Sequence, residues 1–127
     1  MLKNNTLNEQ ILNSAIGQEQ EWDGGLKQLF RFAAEFIGFQ GHFPDNPILP
    51  AVVQLQLGVL LAVRLSSQSF TVKTINRAKF MHPIRPEQII MVYCKSMQDS
   101  NKYTVTITLD DLVASSFTIT MWENYAT

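Results

Sequence analysis

Between residues 103 and 109 the apolar side chains Tyr103, Val105, Ile107 and Leu109 alternate with Thr104, Thr106 and Thr108. Period-two alternation of this kind predicts a strand with one face buried. The turn pair Asp110-Asp111 follows, and Phe117, Ile119 and Met121 then alternate with Thr118 and Thr120 in a closing strand. Residues 89–97 are rich in β-branched and aromatic side chains, and residues 70–80 form a further strand, ended by Pro83 and Pro86. Ahead of these strands the pattern changes. Residues 51–65 are apolar almost all round, and Pro50 fits the first turn of a helix, where its missing N–H leaves no ladder bond unmade. The spacing predicts a helix over 50–65, ended by 66–69 and covered on every side. Upstream, Asp23-Gly24-Gly25 supplies the positive φ angles of a tight hairpin, with a strand on each side, the second over 26–34. Residues 11–22 are ambiguous, because Ile11, Ala15 and Ile16 have helical spacing whereas Gly17 opposes a helix. Between 36 and 50, Gly38, Gly41, Pro44, Pro47 and Pro50 exclude regular structure, and a stiff irregular segment of this kind is where function often sits. The order is two strands, an irregular loop, one buried helix and four strands: an α+β class, with an antiparallel sheet wrapped around one long central helix.

The length of 127 residues favours one domain, 1–127. With 46% hydrophobic and 17% charged residues, a packed core is expected and disorder is not. A domain of this size buries roughly two-thirds of the surface its unfolded chain exposes, so dimerisation would help it hide the remainder. Ten basic and eleven acidic residues give a net charge of −1, which carries no nucleic-acid footprint. Cys94 is the sole cysteine and sits on a strand pattern with Ile90 and Val92, so a small core residue is expected and a disulfide framework is excluded. Two histidines far apart and no glycine-rich phosphate loop argue against a metal or nucleotide site, and no cofactor is implied. No apolar run follows Lys3, and the stretch around 52–63 is too short to span a bilayer, so a soluble cytoplasmic protein with no membrane association is the expectation.

The informative segment is Gly41-His42-Phe43-Pro44-Asp45-Asn46-Pro47-Ile48-Leu49-Pro50, leading straight into the apolar helix. This run resembles the signature of the hotdog-fold 3-hydroxyacyl-acyl-carrier-protein dehydratases, Gly-His-Phe-Pro-Gly-x-Pro before Leu-Pro-Gly and the central helix. The lead-in Phe39-Gln40-Gly41 is similar too, as is Ala78-Lys79-Phe80 followed by Pro83, Ile84 and Pro86. The resemblance extends more weakly over about 23–122. It implies a hotdog fold, a dimer, and thioesters of acyl carrier protein or coenzyme A as substrates in fatty-acid or polyene-type lipid synthesis. It further implies that His42 removes the α-proton, that the amides at the helix start around Ala51 and Val52 polarise the thioester carbonyl, and that Phe43, Pro44, Leu49, Ala51, Val52 and Leu60 surround the substrate.

The chain departs from the family pattern at the acid, which normally follows the histidine by fourteen residues; that position is Gln56. An amide does not protonate a leaving hydroxide, although it can hold a hydroxyl or a water. Ala51 and Asp45 stand where the family has glycines. On a helical wheel Gln56 shares a face with Val52, Val53, Leu60 and Val63, roughly opposite Gln54. Gln56 is thus either a site residue or a satisfied core amide. Four outcomes stay open: His42 acting alone, an acid supplied by a different hotdog chain in a heterodimer, thioester hydrolysis, or acyl binding without catalysis. Arg77, Lys79 and Arg85 form either a basic rim for phosphopantetheine or an acidic carrier protein, or simply a solvated strand face. His82 reads as surface or structural, and Phe30, Phe32, Phe36 and Phe39 as core or as the lining of an acyl tunnel.

Overall fold

In the computed structural model, residues 6–40, 45–66, 71–97 and 100–122 are described. The chain runs through helix α1 (Leu7–Asn13), strands β1 (Ala15–Trp22) and β2 (Gly25–Arg31), a 3-10 turn (Ile37–Phe39), helix α2 (Ala51–Ser66), and strands β3 (Thr71–Phe80), β4 (Ile89–Ser96), β5 (Lys102–Leu109) and β6 (Leu112–Trp122). The six strands form one antiparallel sheet in the order β1-β2-β4-β5-β6-β3. Helix α2 packs on one face of it, against β2, β4, β5 and β6, in the hotdog arrangement.

The strand pattern read from the sequence holds closely. Asp23 (φ 51°) and Gly24 (φ 78°) are the two residues of the expected hairpin, with Trp22 paired to Gly25. Asp110 (φ 54°) turns the β5–β6 hairpin. The alternating residues Tyr103, Val105, Ile107, Phe117, Ile119 and Met121 are all buried toward α2, and Cys94 lies among them. The second strand ends at Arg31 rather than 34; beyond it the Phe32 ring meets the Phe36 ring at a tilted angle of 48°. Phe30, Phe32, Phe36 and Phe39 are core residues in a chain of ring contacts at 4.6–6.1 Å between centroids.

Two expectations are corrected. The ambiguous segment 11–22 divides, helix to Asn13 and strand from Ala15, so the chain has a second helix ahead of the sheet. Its start is set by a capping box: the Glu9 N–H donates to the Thr6 hydroxyl at 3.2 Å, and the Thr6 N–H to Glu9 Oε1 at 3.0 Å. Gly17 (φ 68°) lies in a β1 bulge whose carbonyls, at Ile16 and Gly17, accept from Gln28 Nε2 at 3.0 Å. Nor is α2 covered on every side. Val53, Leu57, Leu61 and Ala62 are buried, whereas Val52 and Val63 are 57% and 38% exposed. A single sheet layer covers one side of a helix, and the apolar outer side is left to other elements.

Gly58 sets how closely α2 approaches the sheet. A Cβ there would stand 2.5 Å from the Phe117 ring and 3.0 Å from Val105. Gly58→Ala is therefore expected to destabilise the fold by about 1–3 kcal/mol through overpacking, outweighing the ~1 kcal/mol that alanine gains in helix propensity. A lower urea midpoint at unchanged m-value checks this.

Burial pushes the Cys94 thiol up to about 12, and the same desolvation, then the Cys94 charge, raises Tyr103. The unfolded chain loses the thiol proton near 9.0 while the folded chain keeps it. The folded state therefore binds more protons between those values, and stability falls as pH rises through that window. Urea titrations across it should show the fall, and Cys94→Ala should flatten it. Cys94 should also resist alkylation at mildly alkaline pH until the chain is unfolded.

Candidate active site

The irregular segment is anchored at both ends to the turn that precedes β4. The Leu49 N–H donates to Ile84 O at 2.7 Å and the Glu87 N–H to Phe32 O at 2.7 Å. His42, Phe43 and Pro44 lie outside the described residues. Leu49 is buried (1%) and its carbonyl accepts from Gln54 Nε2 at 3.1 Å. It is thus the joint between the segment and α2. Ala51 and Val52 follow at the exposed start of the helix, where the first backbone amides lie outside the intrahelical ladder. Arg85 also meets the segment: its guanidinium donates to Asn46 Oδ1, while its backbone N–H donates to Gln88 Oε1 at 2.7 Å. Arg77 and Lys79 are exposed on β3, Arg77 (φ 56°) in the bulge between Asn76 and Lys79. His82 is exposed, and its backbone N–H donates to Ala114 O.

Two glutamines two residues apart on α2 point to different sides. Gln54 is turned to the sheet and 4% exposed; its Nε2 is used at Leu49, and its Oε1 has no hydrogen-bond partner among the described residues. Gln56 is turned away from the sheet, and its buried Oε1 likewise has none. Val53, placed with Gln56 on the helical wheel, belongs instead to the core. Gln56, Val59, Leu60 and Val63 form one wall of a cleft of about 390 Å³ whose other wall is Asn8, Ile11 and Leu12 of α1. The cleft is apolar but for Gln56 and Asn8. Such a volume falls toward the lower end of the roughly 300–1,000 Å³ of small-molecule sites. The α1 wall was missed in the sequence, although Thr6-x-x-Glu9 was its signal.

A larger depression of about 630 Å³ lies at the β1–β2 hairpin, rimmed by Glu19, Glu21, Asp23 and Arg64. It is at the opposite end of α2 from Ala51, and its Arg64 and Glu19 neutralise each other at 3.1 Å. The apolar cleft holding Gln56 is therefore the candidate site.

Residues 18–117 match the family described as ApeI-like, ApeI dehydratase. The chain belongs to the ApeI-like dehydratase family. Among individual relatives it is similar to the 3-hydroxyacyl-[acyl-carrier-protein] dehydratase FabZ of Levilactobacillus brevis, 30% identical over 92 residues, which are 65% of this chain and 62% of that protein. Against FabZ of Campylobacter hominis the identity is 43% over 58 residues, 38% of this chain and 40% of that protein. The chain thus spans only part of the length of these curated relatives. Among solved structures, the dehydratase heterocomplex ApeI:P from Xenorhabdus doucetiae superposes with a TM-score of 0.78 at 24% identity, covering 86% of this chain and 96% of that one. Zebra fish thioesterase superfamily member 2 follows at 0.69 and 10% identity, covering 91% and 86%. Both likenesses are of fold.

A buried amide oxygen without a donor lowers stability. Gln56→Leu, which removes that oxygen at similar volume, is expected to raise stability by about 1 kcal/mol, read as a higher urea midpoint. An unchanged or lower midpoint would show that the oxygen is satisfied in solution.

Proposed function

We propose that this chain dehydrates 3-hydroxyacyl thioesters, carried by acyl carrier protein or coenzyme A, to enoyl thioesters in fatty-acid or polyene-type lipid synthesis. Membership of a dehydratase family supports the reaction class. The observation that supports the site is that Gln56, which by the sequence resemblance stands where the 3-hydroxyacyl-acyl-carrier-protein dehydratases carry their acid, lines an apolar cleft, and that its buried Oε1 has no hydrogen-bond partner among the described residues.

In this reading His42 takes the α-proton as general base, since an imidazole titrates near neutral pH. The electron pair left on the α-carbon forms the double bond to the β-carbon, and the bond from the β-carbon to its hydroxyl breaks. The same imidazolium returns its proton to the departing hydroxide, which leaves as water, so no second acid is needed. Gln56 holds the hydroxyl, its Oε1 accepting from that O–H. The amides of Ala51 and Val52 face the thioester oxygen, and a donor aimed at a developing enolate is worth ~3 kcal/mol. Leu49 sets the loop that leads to them, and Leu60 lines the tail; Phe43 and Pro44 flank His42 in sequence and belong to the substrate-binding residues of this reading. Arg77, Lys79 and Arg85 meet the phosphate of the carrier. A pair of identical subunits covers the open side of α2.

The replacement of the acid by Gln56 favours a second reading. ApeI:P is a dehydratase heterocomplex; in this reading the present chain likewise pairs with a different hotdog chain, binds the acyl group and leaves the acid to its partner. Thioester hydrolysis, with Gln56 holding a water, has no separate observation in its favour.

Purified protein incubated with a 3-hydroxyacyl-pantetheine, with the enoyl product followed by ultraviolet absorbance, decides between them. Turnover by the wild type and its fall by about 10²–10⁴-fold in His42→Ala is the expected result. A silent wild type with a gain in Gln56→Glu would support the second reading, and silence in both would overturn the catalytic one.

A further inference from the structure

Between α2 and the sheet, two buried oxygens have no hydrogen-bond partner among the described residues: Gln54 Oε1 and Ser115 Oγ. Gln54 is 4% exposed and Ser115 0%. The Gln54 carboxamide has a set orientation, because only its nitrogen can donate to the Leu49 carbonyl, at 3.1 Å. Its oxygen is the atom left over, an acceptor in need of a donor. Ser115 pairs with Ile107 and belongs to the alternating buried run Ser115, Phe117, Ile119 and Met121, so its hydroxyl is on the α2 face of β6. Both groups belong to the same end of the helix. Gly58 faces the Phe117 ring. One turn back from Gly58 along α2, about 5.4 Å, is Gln54, and two residues back from Phe117 along β6, roughly 6.6 Å, is Ser115. Both steps lead toward the start of α2: Ala114 O accepts the Met81 and His82 N–H groups at 2.8 and 3.2 Å, and shortly after them Ile84 O accepts the Leu49 N–H. The other end of β6 pairs, at Trp122, with Thr71, which opens β3 after α2 has ended at Ser66.

We propose that one internal water molecule joins these two groups, accepting from the Ser115 hydroxyl and donating to Gln54 Oε1. A water suits the pair, because one group has a proton to give and the other has only lone pairs. Buried waters are held by a few such partners, roughly two to four. Gln28, the other fully buried amide on the α2 face of the sheet, spends its nitrogen on the carbonyls of Ile16 and Gly17 and does not compete. The water keeps the Gln54 carboxamide from flipping, since a flip would set its oxygen against the Leu49 carbonyl. Leu49 is tied in turn to Ile84, so the bridge secures the point where the irregular segment enters α2. It is on the side of α2 that the sheet covers, and it requires neither a second subunit nor a thioester.

A double-mutant cycle in urea reads the bridge. Ser115→Ala is expected to lower the midpoint of the parent protein, because it strands the Gln54 oxygen. In a Gln54→Met background, where no oxygen needs a donor, the same substitution is expected to leave the midpoint unchanged or to raise it. A midpoint that Ser115→Ala raises or leaves unchanged in the parent, the sign of removing a hydroxyl bonded to nothing, would overturn the proposal, as would an equal fall in both backgrounds. Gln54→Met also gives up the bond to Leu49; where it does not fold, a crystal structure of the parent protein decides. Density for a water about 3 Å from both Gln54 Oε1 and Ser115 Oγ supports the bridge, whereas a direct contact between the two side chains, or no density between them, overturns it. Thioester turnover enters neither measurement, so a failure of the bridge and a failure of the dehydratase reading are seen separately.

Discussion

Helix α2 is apolar on both sides, and the sheet can cover only one of them. This constraint organises the molecule. On the covered side Gly58 lets the helix come down onto Phe117 and Val105, with Val53, Leu57 and Leu61 filling the space around it. On the other side the stripe through Val52, Val59 and Val63 faces no strand, and among the described residues α1 shelters part of it. The cleft is the gap between these two covers. It arises from the packing problem itself rather than from a dedicated binding loop.

The two glutamines show how the same residue type serves different ends on opposite sides of one helix. Gln54 spends its amide nitrogen on Leu49, tying the proline-rich segment to the first turn of α2, and Leu49 is tied in turn to Ile84. Gln56 is turned instead to the cleft, and its oxygen, like that of Gln54, has no hydrogen-bond partner among the described residues. The proposed chemistry follows the same division: Gln54 and Leu49 hold the frame, and Gln56 faces the reacting group.

Replacement of a carboxylic acid by an amide changes what this position can do. An amide holds a hydroxyl but does not protonate it, so the dehydration proposed above would return the α-proton through His42 or borrow an acid from another chain. Membership of the ApeI-like dehydratase family sets the reaction class from which both readings start.

The strands, the hairpins at Asp23-Gly24 and Asp110-Asp111 and the central helix were legible in the sequence because each is fixed by local rules: period-two alternation, positive-φ turn residues, and proline at a helix start. His42, Gln56 and the Gly-His-Phe-Pro run were equally legible, since a motif is a property of the chain. Tertiary structure decided the rest. Wheel geometry gives angles about the axis of α2 but not which angle meets the sheet, so it put Val53 beside Gln56 and did not reveal that Gln54 is buried. The wall opposite Gln56 comes from residues more than forty positions away, a separation over which no periodicity extends. Sequence alone determined which residues are candidates for the chemistry; only the packing of α1 and the sheet against α2 decided that Gln56 and Leu60 share a cleft with Ile11 and Leu12, because burial is settled by contacts between distant segments.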